Sequence, residues 1–174
     1  INDFKIAGVV DRNKNRNETF SGYPVLGSDK DLPQLYKKYP YALVAIGQIK
    51  SASVRENLFE KLKYIGFEFP VIISSKANVS KYAKIGMGTI VMHHALINAS
   101  AIIGNNCIIN SKSLIEHDAV IEDHCHISTG SIINGGVKIG LKSFIGSGVI
   151  TKQCISIEKR CVIGAGAIIK QNIN

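Results

Sequence analysis

From Val79 onward the chain places an aliphatic residue at every sixth position. The series runs through Ile85, Val91, Ile97 and Ile103 to Ile163 and Ile169, and only Thr151 breaks it. A period of six matches neither the helix repeat near 3.6 nor the strand repeat of 2. It is the mark of a short-period β solenoid, in which six residues make one flat side of a coil. The position two before each aliphatic residue is mostly small, as at Ala77, Ala95, Cys107, Ser113, Ala119 and Cys125. A small residue there suits a tight corner. Glycine often follows the aliphatic residue, as at Gly86, Gly104, Gly140, Gly146 and Gly164, and is expected to supply positive φ at the bends.

This pattern resembles the hexapeptide-repeat, left-handed β-helix acyltransferases. The resemblance implies three hexads per triangular coil, so that residues i and i+18 stack at about 4.8 Å. About five coils then make a prism roughly 24 Å tall. Cys107, Cys125 and Cys161 share one phase of that repeat, and the cysteines read as small core residues rather than as a disulfide or a metal site.

Residues 1–73 lack the repeat. Phe4–Asp11, Tyr41–Gly47 and Pro70–Ile73 read as short buried strands. Ser28-Asp29 is expected to cap a helix through Leu32–Lys38, and Ser51 or Ser53 a helix through Val54, Leu58, Leu62 and Ile65 that Gly66 stops. The expected fold is therefore a small Rossmann-like α/β domain with a parallel sheet over residues 1–73, followed by a left-handed parallel β-helix over 74–174. Relatives open with a strand, a Gly-rich turn and a helix before the equivalent of Phe4–Asp11. The α/β domain is thus expected to be truncated, lacking its first βα unit.

The net charge of +8 is spread thinly and shows no basic cluster interleaved with aromatics, so a nucleic-acid partner is not expected. No apolar run is long enough to span a bilayer, so no membrane partner is expected and the cytoplasm is the expected location.

The segment from Asn110 to Gly130 holds His117, His124 and His126 with Glu116, Asp118, Glu122 and Asp123, none of which a solenoid wall needs. Ala99 and Gly135 lie 18 residues either side of His117 and leave space beside its ring. His117 and His126 are half a coil apart and so lie on opposite sides of the triangle. They meet only if prisms pack side by side, and a homotrimer with active sites between protomers is the expected assembly. Ile115-Glu116-His117-Asp118, His126 and the Gly130 and Gly135-Gly136 stretch resemble the motif of bacterial sugar O- and N-acetyltransferases, including the sialic acid O-acetyltransferases.

That resemblance implies acetyl-CoA as co-substrate, His117 as general base and Asp118 as the acid that raises its basicity, with Glu116 the alternative partner. His126 is expected at the cofactor together with Ser147 and Ala165, and Gly135 is the expected oxyanion donor. Asp11 and Gly47, at the ends of two strands, are expected to contact a nucleotide-linked acceptor. Arg12 departs from relatives that carry a second acid there. His124 is expected to face solvent, His93 and His94 stand either at the acceptor or on the surface, and Lys152, Lys159, Arg160 and Lys170 are candidates for CoA phosphates.

The expected activity is acetyl transfer to sialic acid or to a nucleotide-linked amino sugar in surface-glycan biosynthesis. No metal is expected. A γ-class carbonic anhydrase requires two histidines five apart, and no such pair exists. A non-catalytic scaffold is the remaining alternative.

Overall fold

The computed structural model describes residues 4–13 and 18–174. From Ile72 onward the chain forms two-residue strands separated by four-residue corners. These strands fall into three parallel sheets, the walls of a triangular prism. Wall 1 runs from Ile72–Ile73 to Val162–Ile163, wall 2 from Asn78–Val79 to Ile168–Ile169, and wall 3 from Lys84–Ile85 to Ser156–Ile157. Every pairing joins residues 18 apart, as in Ile109 with Ile127 and Ile115 with Ile133.

The second residue of each strand is the sixth-position aliphatic and points inward. Ile97, Ile109, Ile115, Ile127, Ile133 and Ile145 have no solvent exposure. Burying one such side chain stabilises by about 1.5–3 kcal/mol, which makes this column the main source of the prism's stability. The small residues two places earlier also point inward at the corners, and Cys107 and Cys125 are sealed there. Cys161 is only partly covered and Cys154 is exposed, so the core ladder of cysteines ends before them.

The bends are made differently from the sequence expectation. Positive φ falls three residues after the aliphatic position, at His94, Ser100, Asn106, Asp118, His124 and Cys154 or at Gly88, Gly130, Gly136 and Gly148. Gly86, Gly104, Gly140 and Gly146, directly after the aliphatic residue, are not in that region. They serve close approach instead. A Cβ at Gly140 would stand 2.5 Å from the Lys159 backbone nitrogen one coil on, and one at Gly146 would stand 2.6 Å from that of Ala165.

Ahead of the prism, β1 (Val9–Val10) pairs parallel with β3 (Tyr23–Gly27), and β2 (Thr19–Phe20) pairs antiparallel with β3. The sheet is thus mixed rather than parallel, with β3 at its centre. Tyr41–Gly47 is not a regular strand. It makes one bridge, Tyr41 to Glu68, and its later carbonyls turn to a side chain described below. Ile72–Ile73 pairs with Ile90–Val91 and so forms the first rung of wall 1.

Helix α1 (Leu32–Tyr36) starts at Asp31, whose carboxylate accepts from the Ser28 backbone and hydroxyl. Helix α2 (Ser53–Ile65) ends at Gly66, which adopts φ 110° and returns its N–H to Leu62 and Lys63. The buried face of α2 is Arg55, Phe59 and Leu62, while Val54 faces solvent.

That face docks on the corner between walls 3 and 1. Arg55 is buried, and its guanidinium donates to the carbonyls of Val44, Ile46 and Asn106. Burial lowers its pKa to about 10, so it stays charged at neutral pH. Phe59 stacks edge-on against His124, and Lys142 pairs with Glu56 at 2.6 Å. The structure therefore buries His124, against the expectation of a solvent-facing ring, because α2 covers that corner. No helix among the described residues is long and apolar enough to cross a membrane.

Candidate functional site

The corner between walls 2 and 3 carries the candidate chemistry. Ile115 ends a wall 2 strand and Val120 begins a wall 3 strand, so Glu116 to Ala119 form the turn between them. Asp118 takes the left-handed position of that turn, with φ 59°. Its carboxylate Oδ2 then lies 2.7 Å from His117 Nδ1. Asp and Asn tolerate this conformation better than most residues, and here it aims the acid at the ring beside it. Glu116 is turned elsewhere: its Oε2 accepts from the Asn98 amide at 2.8 Å and from the His117 backbone N–H at 3.3 Å. Asp118, rather than Glu116, partners the imidazole.

The hydrogen bond to Asp118 raises the pKa of His117 above its ordinary 6.5, and the charges of Asp118 and Glu116 act the same way. An imidazole that donates from Nδ1 keeps a lone pair on Nε2. That edge borders an open cleft of about 690 Å³. Gly135 lies directly beneath the ring: a Cβ there would stand 2.9 Å from both Cε1 and Nε2 of His117. Such an arrangement can accept a proton from a nucleophile held in the cleft.

The same cleft includes Asn134, Gln153 and Cys154, which the sequence reading did not single out. Asn134 had a signal in the one break of the repeat. Thr151 is buried, its hydroxyl accepts from the Asn134 backbone at 3.0 Å, and the Asn134 amide donates to the Thr151 carbonyl at 2.6 Å. The regular ladder is thus interrupted beside Gly135. Gln153 is marked only by standing 36 residues from His117, two coils along the same corner.

The other named residues lie elsewhere in the protomer. His126 belongs to wall 1 and is buried. Its Nδ1 donates to the Gln48 carbonyl at 2.8 Å, its Nε2 accepts from Asn110 at 3.2 Å, and Phe144 packs edge-on against the ring. Burial pulls its pKa down. Both nitrogens of His126 are therefore engaged within the chain, and it clasps the segment that carries Gly47. Gln48 completes the clasp by donating to the His124 carbonyl at 2.6 Å.

Ser147 and Ala165 stack at the corner between walls 1 and 2, with Ser147 Oγ 2.9 Å from Ser128 Oγ. His93 stands at that corner too, hydrogen-bonded at 2.5 Å to the buried Ser74. Asp11 closes β1, its backbone donating to Gly27 and its side chain accepting from Asn13. Gly47 is exposed. Of the residues singled out, one protomer brings His117, Asp118 and Gly135 together at one corner and Ser147 with Ala165 at another.

Residues 1–62 match the family described as the PglD N-terminal domain. Among solved structures, PerB from Caulobacter crescentus, in complex with CoA and GDP-perosamine, is 30% identical with a TM-score of 0.88. The match covers 95% of this chain and 77% of PerB. The acetyltransferase domain of PglB from Neisseria gonorrhoeae, in complex with acetyl coenzyme A, is 30% identical with a TM-score of 0.87, over 94% of this chain and 78% of that one. WeeI from Acinetobacter baumannii shares the fold at 23% identity and a TM-score of 0.78, over 95% of this chain and 78% of WeeI. No curated protein sequence matches. A six-residue repeat wound into a three-walled parallel prism and two relatives at 30% identity over nearly the whole chain lead to one conclusion: this chain belongs to the sugar acetyltransferases of the hexapeptide-repeat, left-handed β-helix superfamily.

Proposed function

We propose that this protein transfers the acetyl group of acetyl-CoA to the amine of a nucleotide-linked amino sugar in glycan biosynthesis. PerB and PglB, crystallised with CoA and GDP-perosamine and with acetyl coenzyme A, support the two substrates. The observation that carries the reading is the His117–Asp118 pair, with Nε2 open to the cleft over Gly135.

In the reaction, neutral His117 takes a proton from the attacking amine as its nitrogen bonds to the thioester carbonyl carbon. Asp118 stabilises the imidazolium that forms. The Gly135 backbone N–H faces the developing oxyanion. Collapse breaks the carbon–sulfur bond, and the imidazolium returns the proton to the departing thiolate. No covalent acyl-enzyme is formed. A sugar hydroxyl, as on sialic acid, is deprotonated by the same base and is the second acceptor class.

The acceptor is assigned to the region ahead of the prism through Asp11 and Gly47, and the cofactor to Ser147 and Ala165, while His126, with both ring nitrogens engaged, holds the Gly47 segment in place. Those groups are split between corners of one prism, so the complete site needs neighbouring chains. The outward residues of wall 2 support a homotrimer. Leu96, Leu114, Ile132, Ile150 and Ile168 form an unbroken aliphatic ladder along its outer face, with Ile168 63% exposed. This wall runs between the His117 corner and the Ser147–Ala165 corner. Packing it against its copies sets one chain's His117 beside the next chain's cofactor residues.

Thiol release from acetyl-CoA against GDP-perosamine, UDP-linked 4-amino sugars and free or CMP-linked sialic acid tests the reading. Release with an amino sugar is expected. Release with none of these acceptors would overturn it.

A further inference from the structure

The corner between walls 1 and 2 carries no acid. Each of the six strands of wall 1 is followed by a turn there, and none of those turns holds an Asp or a Glu. The corner changes character halfway along. The third position of the turn is Lys76, His94 and Lys112 on the first three coils, then Gly130, Gly148 and Gly166. Backbone bonds stack the first three turns: the His94 N–H donates to the Lys76 carbonyl at 3.1 Å and the Lys112 N–H to the His93 carbonyl at 3.0 Å. Lys76, His94 and Lys112 are all exposed. At about 4.8 Å per coil, the two lysines share one edge about 10 Å apart. Among the described residues neither ammonium group meets a carboxylate.

His93 adds a donor. The buried Ser74 hydroxyl accepts from the Lys76 backbone N–H at 3.1 Å and meets His93 Nδ1 at 2.5 Å. With a donor already on its oxygen, the hydroxyl gives its own proton to Nδ1, and the neutral ring keeps its N–H at Nε2. The hydroxyls of Ser75 and Ser111 lie one coil to either side of His93. Two ammonium groups, an imidazole N–H and two hydroxyls on three successive coils, with no acid among them, suit an extended anion. A carboxylate engages the donors of one coil. A diphosphate carries charge on two adjacent groups and engages donors on neighbouring coils.

The place of this column says whose diphosphate it takes. Wall 1 also holds the Gly47 segment, through the bond from His126 to the Gln48 carbonyl. The column is thus one edge of the wall on which the acceptor segment rests. Ser147 and Ala165, assigned to the cofactor, stand at the same corner on its glycine half. Lys112 and His117 are five residues apart on one coil, so prisms packed side by side set one chain's Lys112 level with the next chain's His117. A sugar whose amine meets that His117 carries its first phosphate about one coil, or about 4.8 Å, toward His94 and Lys76.

We propose that Lys76, His93, His94 and Lys112 bind the diphosphate of the nucleotide-linked acceptor. This rests on the acetyl-transfer reading above and narrows it: the column selects sugars linked to a nucleoside diphosphate over free sialic acid, which has no phosphate.

Inorganic pyrophosphate is expected to inhibit thiol release competitively against the nucleotide sugar and not against acetyl-CoA. Lys76→Ala and Lys112→Asn, in which Asn tolerates the φ of 60°, are each expected to raise the KM for the nucleotide sugar by about tenfold, the effect of one charge-assisted hydrogen bond. The KM for acetyl-CoA and the thermal midpoint are expected to stay unchanged, and Lys76→Arg is expected to restore the acceptor KM. A rise in the KM for acetyl-CoA, alone or alongside the acceptor's, would mean that the column meets the phosphates of CoA and overturns the inference. Unchanged KM values in both variants overturn it too, as does faster release with free sialic acid than with any nucleoside diphosphate sugar. Each of these results leaves acetyl transfer standing. No thiol release with any acceptor overturns both.

Discussion

Asp118 occupies a conformation that glycine fills at other corners of the prism, and at the His117 corner that choice does chemical work. A glycine there would make the same bend and leave the imidazole without a partner. Its 2.7 Å contact is the largest cause of the raised pKa of His117. A general base must be neutral, so the rate rises as pH climbs through that pKa. The acidic limb of kcat/KM is therefore expected to have its midpoint above 6.5. Asp118→Asn should move that midpoint to lower pH and lower the plateau by about tenfold, less than the 10²–10⁴-fold a general base supplies. A limb that stays in place in the variant would remove Asp118 from its role. The His117, Asp118 and Gly135 cluster was legible because two of its members are adjacent and the third is one coil away. Asn134 and Gln153 were not, since an amide carries no chemical signature until the neighbouring coil is stacked beside it. The burial of His124 was hidden for another reason: it depends on helix α2, far away in the chain.

The coils teach a related lesson at the scale of the element. The repeat located the inward column of sixth-position residues, because a period of six leaves that column no other place, but not Val137, Val149 and Ile155, which are buried at corner positions expected to hold small residues. It misassigned the glycines, since sequence alone does not separate a residue needing positive φ from one needing no side chain. The two roles are separable by substitution. Gly140→Ala would drive a Cβ to 2.5 Å from the Lys159 backbone, whereas one at Gly164 would meet nothing within 4 Å and neither glycine has positive φ. Gly140→Ala is expected to cost about 1–3 kcal/mol and Gly164→Ala less than about 0.5 kcal/mol, read from denaturant midpoints; equal costs would contradict the close-approach account.

The joint between α2 and the prism makes a second claim at this scale. His124 and His126 are buried there and held below their usual pKa mainly by desolvation. Glu56, Glu60 and Asp123 face His124 and oppose that shift, Lys142 adds to it, and Arg55 adds to the shift of His126. With folded values below the unfolded 6.5, the unfolded chain binds more protons. Stability is then full above pH 6.5 and falls as pH drops through the depressed values. The thermal midpoint should decline between pH 7 and 5, and His126→Gln should shallow that decline. A pH-independent midpoint would count against the buried joint.

At the scale of the whole molecule, the wall 2 ladder and the division of site residues between corners support the same assembly. Ile132→Asp places a charge in the middle of that ladder, where a single prism leaves the side chain half-buried on its outer face. The expected result by sedimentation is a shift from trimer to monomer, with acetyl transfer lost and the prism's circular dichroism kept. A variant that stays trimeric would mean that another face joins the chains. The expectation of a trimer came from the half-coil separation of His117 and His126, which required only counting. The aliphatic stripe proposed to join the chains was not legible, because outward residues become a stripe only after the strands are assigned to walls.

The central claim is that His117 is the base for acetyl transfer. Its most direct test is thiol release by His117→Ala with the best amino-sugar acceptor, alongside calorimetry with acetyl-CoA. The account predicts a fall of about 10²–10⁴-fold in kcat with acetyl-CoA binding intact. A variant that turns over at the wild-type rate would contradict it.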